Sequence, residues 1–329
     1  MLLLLAAACA TDPADSGGGE GDDTIVVVTF NTGTTEGLDH DGDDDGYDAD
    51  DAAISDTWYG DGLAWLPAVE AARSFFAATQ PDLVAFQEIF YAGDCVSIPE
   101  EAHAGFFCAG WAEGDAIVTE AILGEGYQVA CHLGKPDKCA AVRRDFGSFR
   151  GCDEHFCLEG LDGGEVEGCG SGSRVGRGTV DRADGGVLNF VNVHGSSGTS
   201  SDDEACRLAQ IDQVFGDLGD GRPAADGAGV GAPNLVVGDF NTDPGRWTDI
   251  DPSAARWVEE VGGDAPFQWI SDVGPEAAPT YQGLANIDHV VADQHEGSCW
   301  AAGVSDGHPA VLDAIYFDHV PVVCAVAEH

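Results

Sequence analysis

The stretch PNLVVGDFNTDP, Pro233–Pro244, sets a short apolar run against a cluster of polar, turn-forming residues. Leu235, Val236 and Val237 read as a fully buried strand. The run breaks at Gly238 and presents Asp239, Phe240 and Asn241 at its C-terminal tip. In layered α/β folds chemistry collects at strand ends, and side chains two residues apart project from one side of an extended chain. Asp239 and Asn241 can therefore share one substrate, the acid handling a proton or a metal while the amide hydrogen-bonds an oxyanion. The same residues also suit a strand that ends in an Asx turn, so the surrounding sequence decides.

Upstream, Thr24–Phe30 (TIVVVTF) is a β-branched run expected to form a buried strand ending at Asn31. Pro67–Thr79 has proline at a helix start and apolar residues at helical spacing. Pro81-Asp82 ends it, and Leu83–Phe86 is the next buried strand, delivering Gln87 and Glu88. Val187–Val193 reads as a strand ending at His194. Asp202–Leu218 reads as a helix with Ala205, Leu208, Ile211, Val214, Phe215 and Leu218 on one face. Downstream, Ile287–Ala292 and His319–Val326 close the set, and Cys139–Arg143 is a further strand in a cysteine- and glycine-rich region. Strands alternating with helices, with acids at strand ends, indicate α/β layers. There is no internal repeat, and residues 24–329 read as one domain with an acidic loop at 39–51 and a cysteine-rich insertion at 95–169.

The composition bounds the setting. Asp and Glu number 59 against 13 Lys and Arg, for a formal charge of −46. Such a field opposes the approach of a polyanion and disfavours a tight, non-specific nucleic-acid binder. It suits high salt or divalent cations, and it serves solubility equally well. MLLLLAAACA at the start is apolar and ends in small residues around Cys9. It is far shorter than the about 20 residues of a membrane span. Residues 1–9 resemble a lipoprotein-type signal with Cys9 as the lipidation site, but without its basic n-region; an ordinary cleaved signal is the other reading. Residues 10–23 are a flexible acidic tether with almost nothing to bury. Ten further cysteines behind an export signal argue for disulfides in an oxidising compartment, with Cys152–Cys157 and Cys95–Cys108 as local pairs. An extracytoplasmic protein, lipid-anchored at a bacterial surface or secreted, is expected.

In the acidic loop, Asp41, Asp43, Asp45 and Gly46 take the first, third, fifth and sixth places of a motif resembling an EF-hand calcium loop. Ala52 stands in the twelfth place where a bidentate Glu belongs. Ca²⁺ binding and a merely solvated acidic loop both remain open.

The strand-end groups occur in a definite order: Asn31, Gln87-Glu88, Asn192-Val193-His194, Gly238-Asp239-Phe240-Asn241, Ile287-Asp288-His289, and Asp318-His319-Val320-Pro321-Val322. This order resembles the endonuclease/exonuclease/phosphatase superfamily, the deoxyribonuclease-I-like metal-dependent phosphodiesterases. The resemblance covers residues 24–327. It implies a four-layered α/β sandwich, two face-to-face mixed β-sheets flanked by helices, and hydrolysis of a phosphate ester by water attack. On this resemblance Asn31 and Glu88 match a metal-site pair for Mg²⁺ (or Mn²⁺), a hard cation that wants oxygen ligands, and Asp318 matches a further metal-site carboxylate. Asp239 matches the acid that orients or deprotonates the water, and Asn241 the amide that holds the phosphoryl oxygen. His194 matches the first histidine, which stabilises phosphate charge or protonates the leaving oxygen. His319 matches the second, with Asp288 fixing its tautomer and raising its pKa.

His289 should face away from Asp288 and be structural. Asp306-Gly307-His308 fits the last motif less well, because only Asp318-His319 leads straight into a terminal apolar strand. The nuclease members also carry an acid that orients the first histidine. The matching region here, Lys138–Arg143, has none, which leaves His194 without an assigned partner. Arg143, Arg174 and Arg177 either clamp a phosphate or pair with surface acids.

The expected function is that of a monomeric, surface-tethered or secreted metal-dependent phosphoesterase. Nucleic acid, a phospholipid headgroup and a small phosphodiester all stand as substrate classes, because function belongs to the site rather than the fold. A catalytically weak, calcium-dependent surface binding protein on the same scaffold is the alternative.

Overall fold

β-Branched runs pair where both faces can be buried, and this chain provides enough of them for two sheets. A computed structural model describes residues 24–34, 46–170, 175–216, 222–312 and 314–328. Its strands are β1 (Thr24–Asn31), β2 (Leu83–Gln87), β3 (Tyr127–His132), β4 (Lys135–Arg143), β5 (Gly147–Phe149), β6 (Phe156–Cys157) and β7 (Val175–Arg182). They continue with β8 (Val187–His194), β9 (Asn234–Asp239), β10 (Gln268–Trp269), β11 (Asp288–Ala292), β12 (His295–Ala301) and β13 (Val322–Glu328). The α-helices are α1 (Ala49–Ile54), α2 (Leu66–Thr79), α3 (Val118–Leu123), α4 (Ser201–Phe215) and α5 (Pro252–Glu260).

One sheet runs β12-β13-β1-β2-β4-β3-β6 and the other β10-β11-β9-β8-β7-β5. The pairs β1–β2 and β8–β9 are parallel, whereas β11 and β13 run antiparallel to β9 and β1. Alternation decides what each face buries. Ile25, Val27, Leu83, Ala85, Leu188, Phe190, Leu235, Val237 and Val290 fill the space between the sheets. Val28, Phe30, Val84 and Phe86 pack outward against α2 and α3, and Val191, Val193, Val236 and Val291 against α4 and α5. The result is the four-layered α/β sandwich that the motif order implied.

Parallel β1, β8 and β9 bring their C-terminal ends to one edge of the sandwich, and antiparallel β11 brings its N-terminal end there. Asp288 accordingly lies directly opposite Asp239. The tip of β9 is pinned by Phe240, whose ring stacks on fully buried Trp257 of α5 at 4.0 Å and 6°. Truncating a buried aromatic typically costs about 3–5 kcal/mol. Trp257→Ala should therefore lower the urea midpoint with an unchanged slope; a midpoint within error of wild type would show that this stack does not hold the tip.

Several boundaries differ from the sequence expectation. The last strand starts at Val322 rather than His319, since Pro321 has no N–H to donate to a ladder. Cys139–Arg143 extends back to Lys135 as β4, an interior strand between β2 and β3. Residues 95–169 contribute β3, β4, β5 and β6 to the two sheets. Alternation was hard to see there because β3 and most of β4 are buried on both faces. The leader with Cys9, the tether, Asp41, Asp43, Asp45, Arg174 and the end of the expected helix at Leu218 lie outside the described residues.

Five disulfides are formed among the described residues. Cys95–Cys108 and Cys152–Cys157 are the local pairs expected, and Cys131–Cys139, Cys169–Cys206 and Cys299–Cys324 complete the set. Cys131–Cys139 and Cys299–Cys324 join directly opposed residues of neighbouring strands. Among the described residues no helix is long and apolar enough to cross a membrane.

Candidate active site

The inward-facing side chains at the shared strand edge converge on Asp239, which is 1 % exposed. Gly238 makes the approach possible. Its φ is +142°, and a Cβ there would collide with the backbone of Val193 on β8. One carboxylate oxygen of Asp239 accepts from the Asn241 backbone N–H at 2.8 Å. The other accepts from Asn241 Nδ2 at 2.9 Å and from Asn31 Nδ2 at 3.0 Å. Asn241 has φ +51°, a conformation that asparagine tolerates better than most residues. Its Nδ2 also donates to Gly195 O at 3.0 Å. Both amide protons of Asn241 thus have acceptors within the protein, and its amide holds the Asp239 carboxylate in place.

His319 forms a dyad with Asp288, Nδ1 lying 2.7 Å from the carboxylate, while Nε2 lies 3.7 Å from Asp239 Oδ2. Burial alone would lower the His319 pKa, but the charges of Asp288 and Asp239 outweigh it and hold it at about 10. Glu88, just beyond β2, has φ +55°, a strained conformation of the kind that gathers at functional sites. Its Oε1 lies 3.1 Å from His194 Nε2. Burial pushes Glu88 upward, but the hydrogen bond and charge of His194, helped by His319 and Lys135, bring its pKa down to about 2. His194 Nε2 is also 3.9 Å from Asp239 Oδ2.

A third group of oxygens surrounds Gly33, a residue that the motif order did not single out. A Cβ at Gly33 would overlap Glu88 Oε2 and lie 3.2 Å from both Asn31 Oδ1 and Asp318 Oδ1. Asp318 Oδ1 is buried without a hydrogen-bond partner, and burial above all raises the pKa of Asp318 to about 7. Three oxygens around a space left open by a glycine, one of them orphaned, suit a hard divalent cation. Asp239, Asp288 and His319 also offer atoms within 4.8 Å of one another. A cation there would meet the imidazolium charge that Asp288 and Asp239 sustain on His319, so the Gly33 space is the better fit. An Asn-x-Gly step at a strand end was the available sequence signal.

Other residues stand apart. Arg143 pairs with Asp82 and Asp145 at the end of β4 remote from Glu88, and Arg177 pairs with Asp226 on the outer face of β7. Of the two sequence readings of these arginines, these contacts agree with pairing to local acids, as scarce cations in an acidic chain have carboxylates nearby to neutralise. His289 turns away from Asp288, its ring nitrogens meeting Ser271 Oγ and Asn286 O. His308 stacks on Trp300.

The cluster makes a prediction for stability. Burial, first of all, raises Asp239 to about 7, as it does Asp318, and His319 stands at about 10, each above its ordinary value. A group whose pKa is raised on folding stabilises below its unfolded pKa and loses that contribution as pH rises through its folded value. In chelator, the melting temperature should therefore decline from about pH 4 to about 7 as Asp239 and Asp318 lose their protons, and onward to about 10 as His319 does. His319→Gln should flatten the alkaline part of that slope, and an unchanged slope would contradict the dyad's charge state.

No protein-family model and no curated protein sequence matches the chain. Solved structures do. An endonuclease/exonuclease/phosphatase family protein from Bacteroides thetaiotaomicron is 14% identical, with TM-score 0.51 over 94% of this chain and 99% of that one. The human Nocturnin catalytic domain with bound sulfate is 12% identical, with TM-score 0.52 over 94% and 96%. TDP2 of D. rerio, complexed with single-strand DNA product, is 12% identical, with TM-score 0.51 over 93% and 99%. The paired sheets, their flanking helices and these likenesses together give this chain the fold of the endonuclease/exonuclease/phosphatase superfamily.

Proposed function

We propose that this protein hydrolyses phosphodiester bonds by metal-assisted attack of water. The observation that carries the reading is one strand edge where Asp239 lies beside the His319–Asp288 dyad and accepts from Asn31, whose amide oxygen borders the Gly33 space with Glu88 and Asp318. Glu88, Asn31 and Asp318 would hold Mg²⁺ or Mn²⁺, which when bound neutralises charge on the phosphoryl oxygens. Asp239, with its pKa near 7, is the base that takes the proton of the attacking water. Asn31 and Asn241 fix its carboxylate. His319, kept charged by Asp288, directs Nε2–H at the phosphoryl group. His194 supplies a proton to the leaving oxygen or stabilises charge beside it. The chemistry is mostly positioning and charge neutralisation, which is what phosphoryl transfer asks of a protein.

The DNA product bound to a structural neighbour supports a phosphodiester substrate. The five disulfides support a location outside the reducing cytoplasm. The test is product release from bis-p-nitrophenyl phosphate, DNA and sphingomyelin, each with chelator, Mg²⁺ or Mn²⁺. Metal-dependent release from at least one is expected; silence on all three would count against the reading.

A further inference from the structure

We infer that Asn192, with Gln87 and Thr29, is a positioning unit that sets the metal-side carboxylate and the first histidine relative to each other. The inference rests on the proposed metal-assisted reaction. It comes from a polar layer inside the sandwich that the chemistry above does not use. The inward-facing residues of β1, β2 and β8 are apolar for most of their length. They then turn polar one step short of the site, at Thr29, Gln87 and Asn192, all three fully buried. Each belongs to a strand that delivers a site residue: Thr29 lies two before Asn31, Gln87 directly before Glu88, and Asn192 two before His194.

The three side chains are joined. Thr29 Oγ1 donates to Gln87 Oε1 at 3.4 Å, and Gln87 Nε2 donates to Asn192 Oδ1 at 2.8 Å. Asn192 Nδ2 spends its two protons on Phe86 O at 3.0 Å and Cys139 O at 2.8 Å. Those carbonyls belong to directly opposed residues of β2 and β4 in the facing sheet. An amide that spends both protons and accepts one more bond in a dry interior is directional, and it restricts the spacing of its partners. Apolar contacts elsewhere between the sheets permit sliding, but this bridge does not. It fixes the ends of β2 and β8 where Glu88 Oε1 meets His194 Nε2 at 3.1 Å. None of the three residues touches Asp239, Asp288 or His319 in the hydrogen bonds described, so they act through Glu88, Asn31 and His194.

The test is Mn²⁺ binding followed by the electron paramagnetic resonance signal of the free ion, alongside steady-state kinetics on bis-p-nitrophenyl phosphate. Outer groups that orient metal ligands typically change metal affinity by about 10–100-fold, and Asn192→Ala should weaken Mn²⁺ binding by that much. It should lower kcat while leaving KM for the diester unchanged, because no substrate contact is removed. Thr29→Val removes one hydroxyl without changing shape. It keeps the question open to measurement if Asn192→Ala does not fold, with a smaller weakening in the same direction. Wild-type Mn²⁺ affinity and kcat in a folded Asn192→Ala, or in Thr29→Val should the former not fold, would overturn the inference. If the wild-type protein itself binds no Mn²⁺, the metal reading fails and the positioning role falls with it.

Discussion

Replacing Asp239 by asparagine is expected to lower kcat on a phosphodiester by about 10²–10⁴-fold, the range typical of a lost general base, in a protein that remains folded. The substitution conserves volume in a site that is 1 % exposed. It removes the charge that attracts the His319 imidazolium and the basicity that, in the proposed reaction, accepts the water's proton. It also sets an amide among donors already aimed at a carboxylate, namely Asn31 Nδ2, Asn241 Nδ2 and the Asn241 backbone N–H. One donor–donor clash should therefore destabilise the fold modestly, by about 1–3 kcal/mol. That burden falls on stability and is separable by melting. Turnover close to wild type in a folded Asp239→Asn protein would remove Asp239 from the base role.

Glu88→Gln is expected to have the second largest effect, and to show it as a metal requirement. The carboxylate is held well ionised at about 2, and its Oε2 faces the space left by Gly33. An amide there keeps one oxygen but no charge, and it also gives up the ion pair with His194. Even outer groups around a metal site change affinity by about 10–100-fold, so loss of a charged ligand should raise the half-saturating Mn²⁺ concentration by at least that much. Excess metal should restore part of kcat. Exhaustive chelation should abolish activity in both proteins. An unchanged metal curve in Glu88→Gln would place the cation elsewhere, with the Asp239–Asp288–His319 group as the next candidate.

What the sequence disclosed depended on how local the signal was. The β-branched run at β1 and the apolar tips of β2, β8 and β9 were legible because each is a short apolar stretch that ends abruptly in polar residues. Those same endings marked Asn31, Glu88, His194 and Asp239, and the architecture was read from their order. The edge strand β12 was missed because its central residues are exposed and carry no apolar alternation. β7 was missed because glycines interrupt it. The extent of β4 was underestimated because Pro136 and charged residues open a strand that is dry only further along. Pairings across hundreds of residues were not accessible to local reading. The Gly33 space, the double use of the Asn241 amide and the Asn192 bridge exist only once the sheet of β1 and β2 is set against the sheet of β8 and β9. Arg143 and Arg177 were attractive by scarcity alone, but scarcity in an acidic chain also guarantees each a nearby carboxylate.

The most direct measurement of the central claim is the fate of solvent oxygen. The purified protein would turn over bis-p-nitrophenyl phosphate in heavy-oxygen water, and its products would be weighed by mass spectrometry. Attack of water on phosphorus, with Asp239 as base, predicts one heavy oxygen in the phosphate monoester and none in the released phenol, and it predicts this only when Mg²⁺ or Mn²⁺ is present. Label in the phenol, or equal turnover after exhaustive chelation, would contradict it.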